Sequence, residues 1–237
     1  IIRDLRYFRR NTCKSFYILR IIKDKRPDFI YIRSHFLDPL PILFYIIGIP
    51  YFIEANGLQF NSRKKYYRSF LESLNKRFEY LTYCAAKHVF FIGSYGDYWK
   101  LKKKNWSNVE NGVEHEFLTM FSSHKKSVNG KIHLALIAKL MAHHQPQVLI
   151  SAIKQLDSIT RSKLCLHLIG SGLDIIKDEI QEYIEVIDHG FLDREQLATC
   201  LKQVHVGLIP GVPEYQSQMK LFDYGAAKCL AIVPRVH

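Results

Sequence analysis

The sequence predicts an α/β protein built on parallel sheets, and three observations carry that reading. Short apolar runs rich in β-branched and aromatic residues recur between longer helix-patterned segments along the chain, the alternation expected of sheets covered by helices. Most of those runs are continuous rather than alternating, as in strands buried on both faces. The 237 residues are 48% hydrophobic and 13% aromatic, ample for large buried cores.

The elements follow in order. A helical segment over Leu5–Lys25 precedes the strand candidate Phe29–Arg33. Pro39–Ile53 is the longest uncharged stretch. Broken by Pro41, Gly48 and Pro50, it is too short and too interrupted to span a bilayer, and it reads as a helix over Pro39–Ile47 followed by a strand over Tyr51–Ala55. Helix Lys64–Ala86, strand His88–Ile92, helix Tyr95–Lys103 and strand Asn108–Asn111 complete the first half. The second half alternates strand His133–Ala138, helix Pro146–Leu156, strand Cys165–Ile169, helix Leu173–Tyr183, strand Val186–Asp188 and helix Arg194–Lys202. Strand Val204–Ile209, helix Gln218–Lys228 and strand Leu230–Val233 close it. No low-complexity or Pro/Gly-rich stretch interrupts the series, so the whole chain is expected to be globular.

Charge divides the chain. Residues 1–131 carry 24 Lys/Arg against 11 Asp/Glu, and residues 132–237 carry 10 against 11. The polar stretch Ser122–Gly130 coincides with that change, which places a first domain over 1–122, a linker over 123–130 and a second domain over 131–237. The basic half suits an anionic surface, such as a membrane or a phosphorylated acceptor, or serves as a solubilising surface. The five cysteines are odd in number and lack any C-x-x-C, which fits reduced thiols in a cytoplasmic protein better than disulfides or zinc.

The most informative segment is Val206–Pro210 followed by Ser217-Gln-Met-Lys-Leu-Phe-Asp-Tyr-Gly-Ala-Ala227. A buried strand ends, a loop follows, and a helix opens. The first turn of such a helix offers backbone N–H groups and a positive dipole end to a diphosphate. Lys220 adds a charged donor in that turn, and Asp223 stands one turn further, where a carboxylate can accept from ribose hydroxyls. An ordinary capped helix start is the plainer reading.

Ser217–Pro234 resembles the Ser-Pro-x-Lys-Leu-Phe-Glu-Tyr-Met-Ala-Ala-Gly-Lys-Pro-Val-Val-Ala pattern of the group 1, family 4 glycosyltransferases. Other segments are similar to that family's motifs in the same order. Val109-Glu-Asn-Gly-Val-Glu-His-Glu-Phe117 resembles its Pro-Asn-Gly-Val-Asp junction, and Leu136–Gln145 with Leu149–Ala152 its Gly-Arg-Leu…Lys-Gly…Leu-Ile-x-Ala stretch. Leu168–Gly172 resembles its Ile-Gly-x-Gly turn, and Arg26–Arg33 and Gly48–Gly57 resemble its acceptor-domain strands.

The resemblance implies a GT-B fold of two Rossmann-like domains, both incomplete here, as in a fragment lacking both ends. It also implies a hexosyltransferase that moves a sugar from a nucleotide-diphosphate donor to a glycan or lipid-linked acceptor in polysaccharide or lipopolysaccharide assembly. Transfer would retain anomeric configuration, with no cofactor and no required metal. Carried over by position, Lys139 and His144 fall on the phosphate contacts, Gly170 on the Gly-rich turn, and Gln218, Met219 and the Ser217 amide on the diphosphate. Lys220 and Asp223 complete the donor set, Glu214 is the catalytic acid, and Asn56 and Gly57 lie on the acceptor side.

Departures from the pattern are visible. His144-Gln145 replaces Lys-Gly, Ala138 replaces a Gly, and Glu214 and Asp223 stand one residue further apart than the family's Glu-x7-Glu, so that Tyr215 holds the strict position. His143-His144 lacks a third metal ligand nearby, Glu54 reads as an acceptor-side acid or a capped surface carboxylate, and Arg63–Arg68 suits phosphate-rich head groups or a solvated helix start. The expected setting is cytoplasmic, peripheral at the inner membrane face, with no nucleic-acid partner. The competing readings are a basic protein that binds nucleic acid or membrane without catalysis, and a GT-B sugar-nucleotide epimerase.

Overall fold

The computed structural model describes residues 15–33, 38–56, 69–93, 96–101, 105–126, 130–141, 144–212 and 218–235. The chain forms two compact units, the first ending at Glu110 and the second beginning at Asn111. Each is built on one parallel sheet flanked by helices, the α/β architecture expected from the sequence.

The first unit carries a four-stranded sheet of order β1-β2-β3-β4, with β1 Ile30–Arg33, β2 Tyr51–Asn56, β3 His88–Ile92 and β4 Trp106–Val109. Helix α1 covers 15–25, α2 Leu40–Ile46, α3 Ser69–Ala85 and α4 Gly96–Trp99. Pro41 opens α2, where a missing N–H leaves no helical bond unmade. Strand β2 buries Tyr51, Ile53 and Ala55 on one face. Tyr83 of α3 meets Phe91 and Trp99 edge to face, at centroid distances of 5.4 and 5.1 Å. Two backbone carbonyls at the end of α3 are satisfied by Asn105, whose Nδ2 donates to Tyr83 O and Ala86 O.

The second unit carries a five-stranded sheet of order β7-β6-β5-β8-β9. Its strands are β5 Ile132–Lys139, β6 Leu164–Ser171, β7 Glu185–Gly190, β8 Val206–Leu208 and β9 Leu230–Ile232. Its helices are α5 His115–Thr119, α6 Pro146–Gln155, α7 Ser158–Ser162, α8 Asp174–Ile180, α9 Arg194–Gln203 and α10 Met219–Ala226. Leu134, Leu136, Leu166 and Leu168 face α6 and α8 through Leu149, Ile150, Ile153, Ile176 and Ile180. The alternate residues, Ala135 and Ile169, face α9 and α10 through Leu197, Leu201 and Tyr224. Burial on both faces is why these strands read as unbroken apolar runs. A reciprocal capping box starts α9: Asp193 Oδ1 accepts from Gln196 N–H, and Gln196 Oε1 accepts from Asp193 N–H.

Helix α5 and the turn after it belong to the second unit, ahead of the polar stretch at Ser122–Gly130. The physical reason is packing: Phe117 and Phe121 are each 1% exposed and fill the core on the α9 side. A polar stretch marks a change of composition, whereas these two rings decide which core their segment joins.

Tyr224 ties α10 to the sheet. Its hydroxyl donates to Ala135 O at 3.0 Å and accepts from Ile137 N–H at 3.2 Å, next to where the β5–β8 pairing ends at Leu136/Leu208. Its ring lies over Gly207, where any Cβ would come within 2.3 Å of it. Tyr224→Phe is therefore expected to lower stability by about 1–3 kcal/mol, because two buried backbone groups lose a partner. Urea unfolding should show a lower midpoint with an unchanged slope.

Candidate functional site

The sheet order fixes where a ligand can approach the second unit. From β5 the chain runs outward to β6 and β7, then returns to place β8 on the other side of β5. The connections leaving β5 and β8 pass over opposite faces. Such a reversal opens a crevice beyond the carboxyl ends of the two strands, the usual ligand position in open parallel sheets.

Lys139 ends β5 there and is exposed. Pro210 follows β8, and α10 begins at Met219 with Gln218 as its N-cap, whose side chain makes no capping hydrogen bond. The first-turn N–H groups of a helix lack intrahelical acceptors. Lys220 lies in that turn, with its Nζ 3.3 Å from His144 Nε2. His144 is 9% exposed, and its Nδ1 accepts from Met141 N–H at 3.0 Å. That bond assigns the ring proton to Nε2, so an imidazole N–H and the Lys220 ammonium face the same point. Burial pushes the Lys220 ammonium down from its ordinary value. Two donors converging at this distance are complementary to an oxygen anion set between them.

Asp223 sits one turn along α10 and is already engaged. Its Oδ1 accepts from Arg194 Nη1 at 2.8 Å. Arg194 reaches Glu114 Oε2 through Nε at 3.2 Å, and its guanidinium lies 3.6 Å from the Phe117 ring centroid. The sequence reading missed Arg194. Its signals were faint: a basic residue just after the Asp193 cap, and a glutamate inside the Val109–Phe117 junction.

Gly170 stands near the end of β6 opposite Ala138, with φ of 131°. A Cβ there would lie 1.9 Å from Ala138 O, so the close backbone approach this glycine permits is to strand β5. Glu214 and Ser217 lie outside the described residues, as do Gly57, His143 and Arg63–Arg68.

In the first unit Asn56 ends β2, and its Nδ2 donates to Glu54 Oε1 at 2.6 Å. Glu54 also takes Arg33 Nη2 at 2.7 Å and the Tyr31 hydroxyl at 2.9 Å. Burial alone would raise this carboxyl, but hydrogen bonds from Asn56, Arg33 and Tyr31, with the Arg33 charge, hold it below the usual range. Glu54 is thus a partnered carboxylate in a polar group formed by β1 and β2.

No protein-family profile matches the sequence, and no curated protein matches it either. Solved structures do match. Sucrose-phosphate synthase from Thermosynechococcus elongatus aligns over 95% of this chain and 60% of its own, with a TM-score of 0.69 and 14% identity. A UDP-forming α,α-trehalose-phosphate synthase from Burkholderia xenovorans aligns over 96% of this chain and 61% of its own, with a TM-score of 0.64 and 12% identity. WaaG, a glycosyltransferase involved in lipopolysaccharide biosynthesis, aligns over 90% of this chain and 61% of its own, with a TM-score of 0.60 and 10% identity. The chain therefore has the GT-B fold of glycosyltransferases, spanning about three fifths of the length of these structures. Among the described residues no helix is long and apolar enough to cross a membrane.

Proposed function

We propose that the chain is part of a glycosyltransferase whose second unit holds a nucleotide-diphosphate sugar at the β5/β8 crevice. The observation that carries this reading is the convergence of the Lys220 ammonium and the His144 N–H beside the first turn of α10. Negative charge grows on the departing diphosphate as the sugar leaves, and preorganised donors stabilise that charge most strongly. Side chains and a helix start supply what a divalent ion otherwise would, so transfer is metal-independent and, by the family resemblance, retaining. Lys139 and the amides of Gln218 and Met219 extend the anion contact, and Ser217 and Glu214 fall in the segment leading into α10. Asp223 takes the ribose through an exchange of its bond to Arg194. The sugar transferred is a hexose, and the acceptor is a glycan or lipid-linked molecule of polysaccharide or lipopolysaccharide assembly. Asn56 and Gly57 lie on its side, and the excess of Lys/Arg over Asp/Glu in residues 1–131 docks the enzyme to the inner membrane face.

The test is a thermal-shift panel with UDP, GDP, ADP and CMP, run beside Lys220→Met. One diphosphate at a hundredfold excess over its dissociation constant should add about 2.7 kcal/mol of stability. Lys220→Met should weaken that ligand by roughly 1.5–3 kcal/mol, about 10- to 150-fold. No shift with any nucleotide would overturn the donor site and favour a basic binding protein without catalysis.

A further inference from the structure

Four histidines far apart in sequence, His133, His167, His189 and His205, form a row across the second sheet. His133 Nδ1 lies 2.8 Å from His167 Nε2, His167 Nδ1 lies 2.8 Å from His189 Nε2, and the His133 and His205 rings lie 5.7 Å apart. Cys200 of α9 faces the row, with its Sγ 3.7 Å from His167 Nδ1 and 3.6 Å from His189 Nε2. The row depends on a register shift: Leu168 pairs with Asp188 but Ile169 with Gly190, so His189 is the extra residue of a bulge. Bulges of this kind re-aim a side chain, here toward His167 and Cys200.

We propose that His167 Nδ1, His189 Nε2 and Cys200 Sγ bind a zinc-class cation that clamps β6 and β7 to α9. With metal–nitrogen and metal–sulfur bonds of about 2.0–2.1 and 2.3 Å, a tetrahedral site separates N from S by about 3.6 Å and N from N by about 3.3 Å. Both N···S edges already have that length, and the N···N edge has to open by only about half an ångström. One thiolate with two imidazoles is a borderline-soft donor set that selects zinc over calcium or magnesium. His167 also has the outer partner that ligating histidines use: in the tautomer protonated at Nε2 it donates to His133 Nδ1, 2.8 Å away, which leaves Nδ1 for the metal. Burial first, with His189 and His133 as neighbours, keeps His167 a neutral imidazole. The protons balance: the Cys200 thiol releases one to solvent as the Sγ–metal bond forms, and the His189 proton moves from Nε2 to its other ring nitrogen. A neighbouring trio of His133, Cys165 and His167 shares the central ring. Its Cys165 Sγ lies 3.9 Å from His167 Nε2, and its use would break the His167–His133 bond.

The experiment is a Co(II) titration of the full chain after chelator treatment, independent of nucleotide binding. One equivalent of Co(II) should produce a thiolate-to-cobalt charge-transfer band that Zn(II) abolishes by displacement, and Zn(II) should raise the melting temperature. Cys200→Ser should remove the band and Cys165→Ser should keep it. His189→Gln, at a half-buried position, should weaken Co(II) binding at least tenfold, which supplies a second variant if Cys200→Ser folds poorly. Absence of the band in the parent chain overturns the proposal, and so does a band that survives Cys200→Ser.

Discussion

Gly170→Ala is expected to destabilise the second unit by about 2–6 kcal/mol, the sum of a strained backbone and an overpacked β5–β6 contact. The new methyl would lie 1.9 Å from Ala138 O and 2.7 Å from its carbonyl carbon, and no side-chain rotation relieves a clash with backbone. A φ of 131° adds strain that an L side chain rarely tolerates. Relief requires β5 and β6 to part between Ala138 and Gly170, beside the carboxyl end of β5 where Lys139 stands. The variant should therefore unfold at lower urea and also bind nucleoside diphosphate more weakly. An unchanged urea midpoint would mean that the strands slide apart without loss, against the close register that runs from Ile132/Leu164 to Lys139/Ser171.

The sequence was most legible where local pattern and tertiary burial agree. Each of the nine strand candidates overlaps one of β1 to β9. The overlap is fullest at β5 and β6, which are buried on both faces and apolar along most of their length, and least at β4, where Asn108–Asn111 shares only two residues with Trp106–Val109. Helices α5 and α7, five residues each, were not visible, since one turn and a half gives no helical period to read. The chemistry divides along the same line. Lys220 and His144 each fall inside a recognisable motif, and the fold brings their side chains together at the start of α10. Arg194 was not legible, because its partners Glu114 and Asp223 are brought to it only by the packing of α5, α9 and α10. The histidine row was least legible of all. Parallel pairing and one bulge make those rings neighbours, and neither leaves a spacing in the sequence that resembles a metal motif.

Glu79 should make the first unit less stable as pH rises, the reverse of most carboxylates. It is 3% exposed on α3; its Oε1 accepts from Asn75 Nδ2 at 3.0 Å, and its Oε2 has no hydrogen-bond partner among the described residues. Burial pushes the carboxyl up to about 7, against a smaller downward pull from the Asn75 hydrogen bond. Arg33 and Asp38 border the same small cavity, but Arg33 is taken up by Glu54. Because the folded pKa lies above the unfolded value of 4.5, the stabilising contribution is complete below pH 4.5. It falls as pH rises to about 7 and is lost above that. A shift of this size corresponds to about 3 kcal/mol. Glu79→Gln keeps the oxygen that Asn75 needs and cannot ionise, so its stability should be flat across this window and exceed the parent's by about 2–3 kcal/mol at pH 8. Urea midpoints at pH 5 and pH 8 decide it. Parallel profiles for parent and variant would mean that Glu79 stays ionised in the folded state, and its second oxygen would then need a partner that the described residues do not supply.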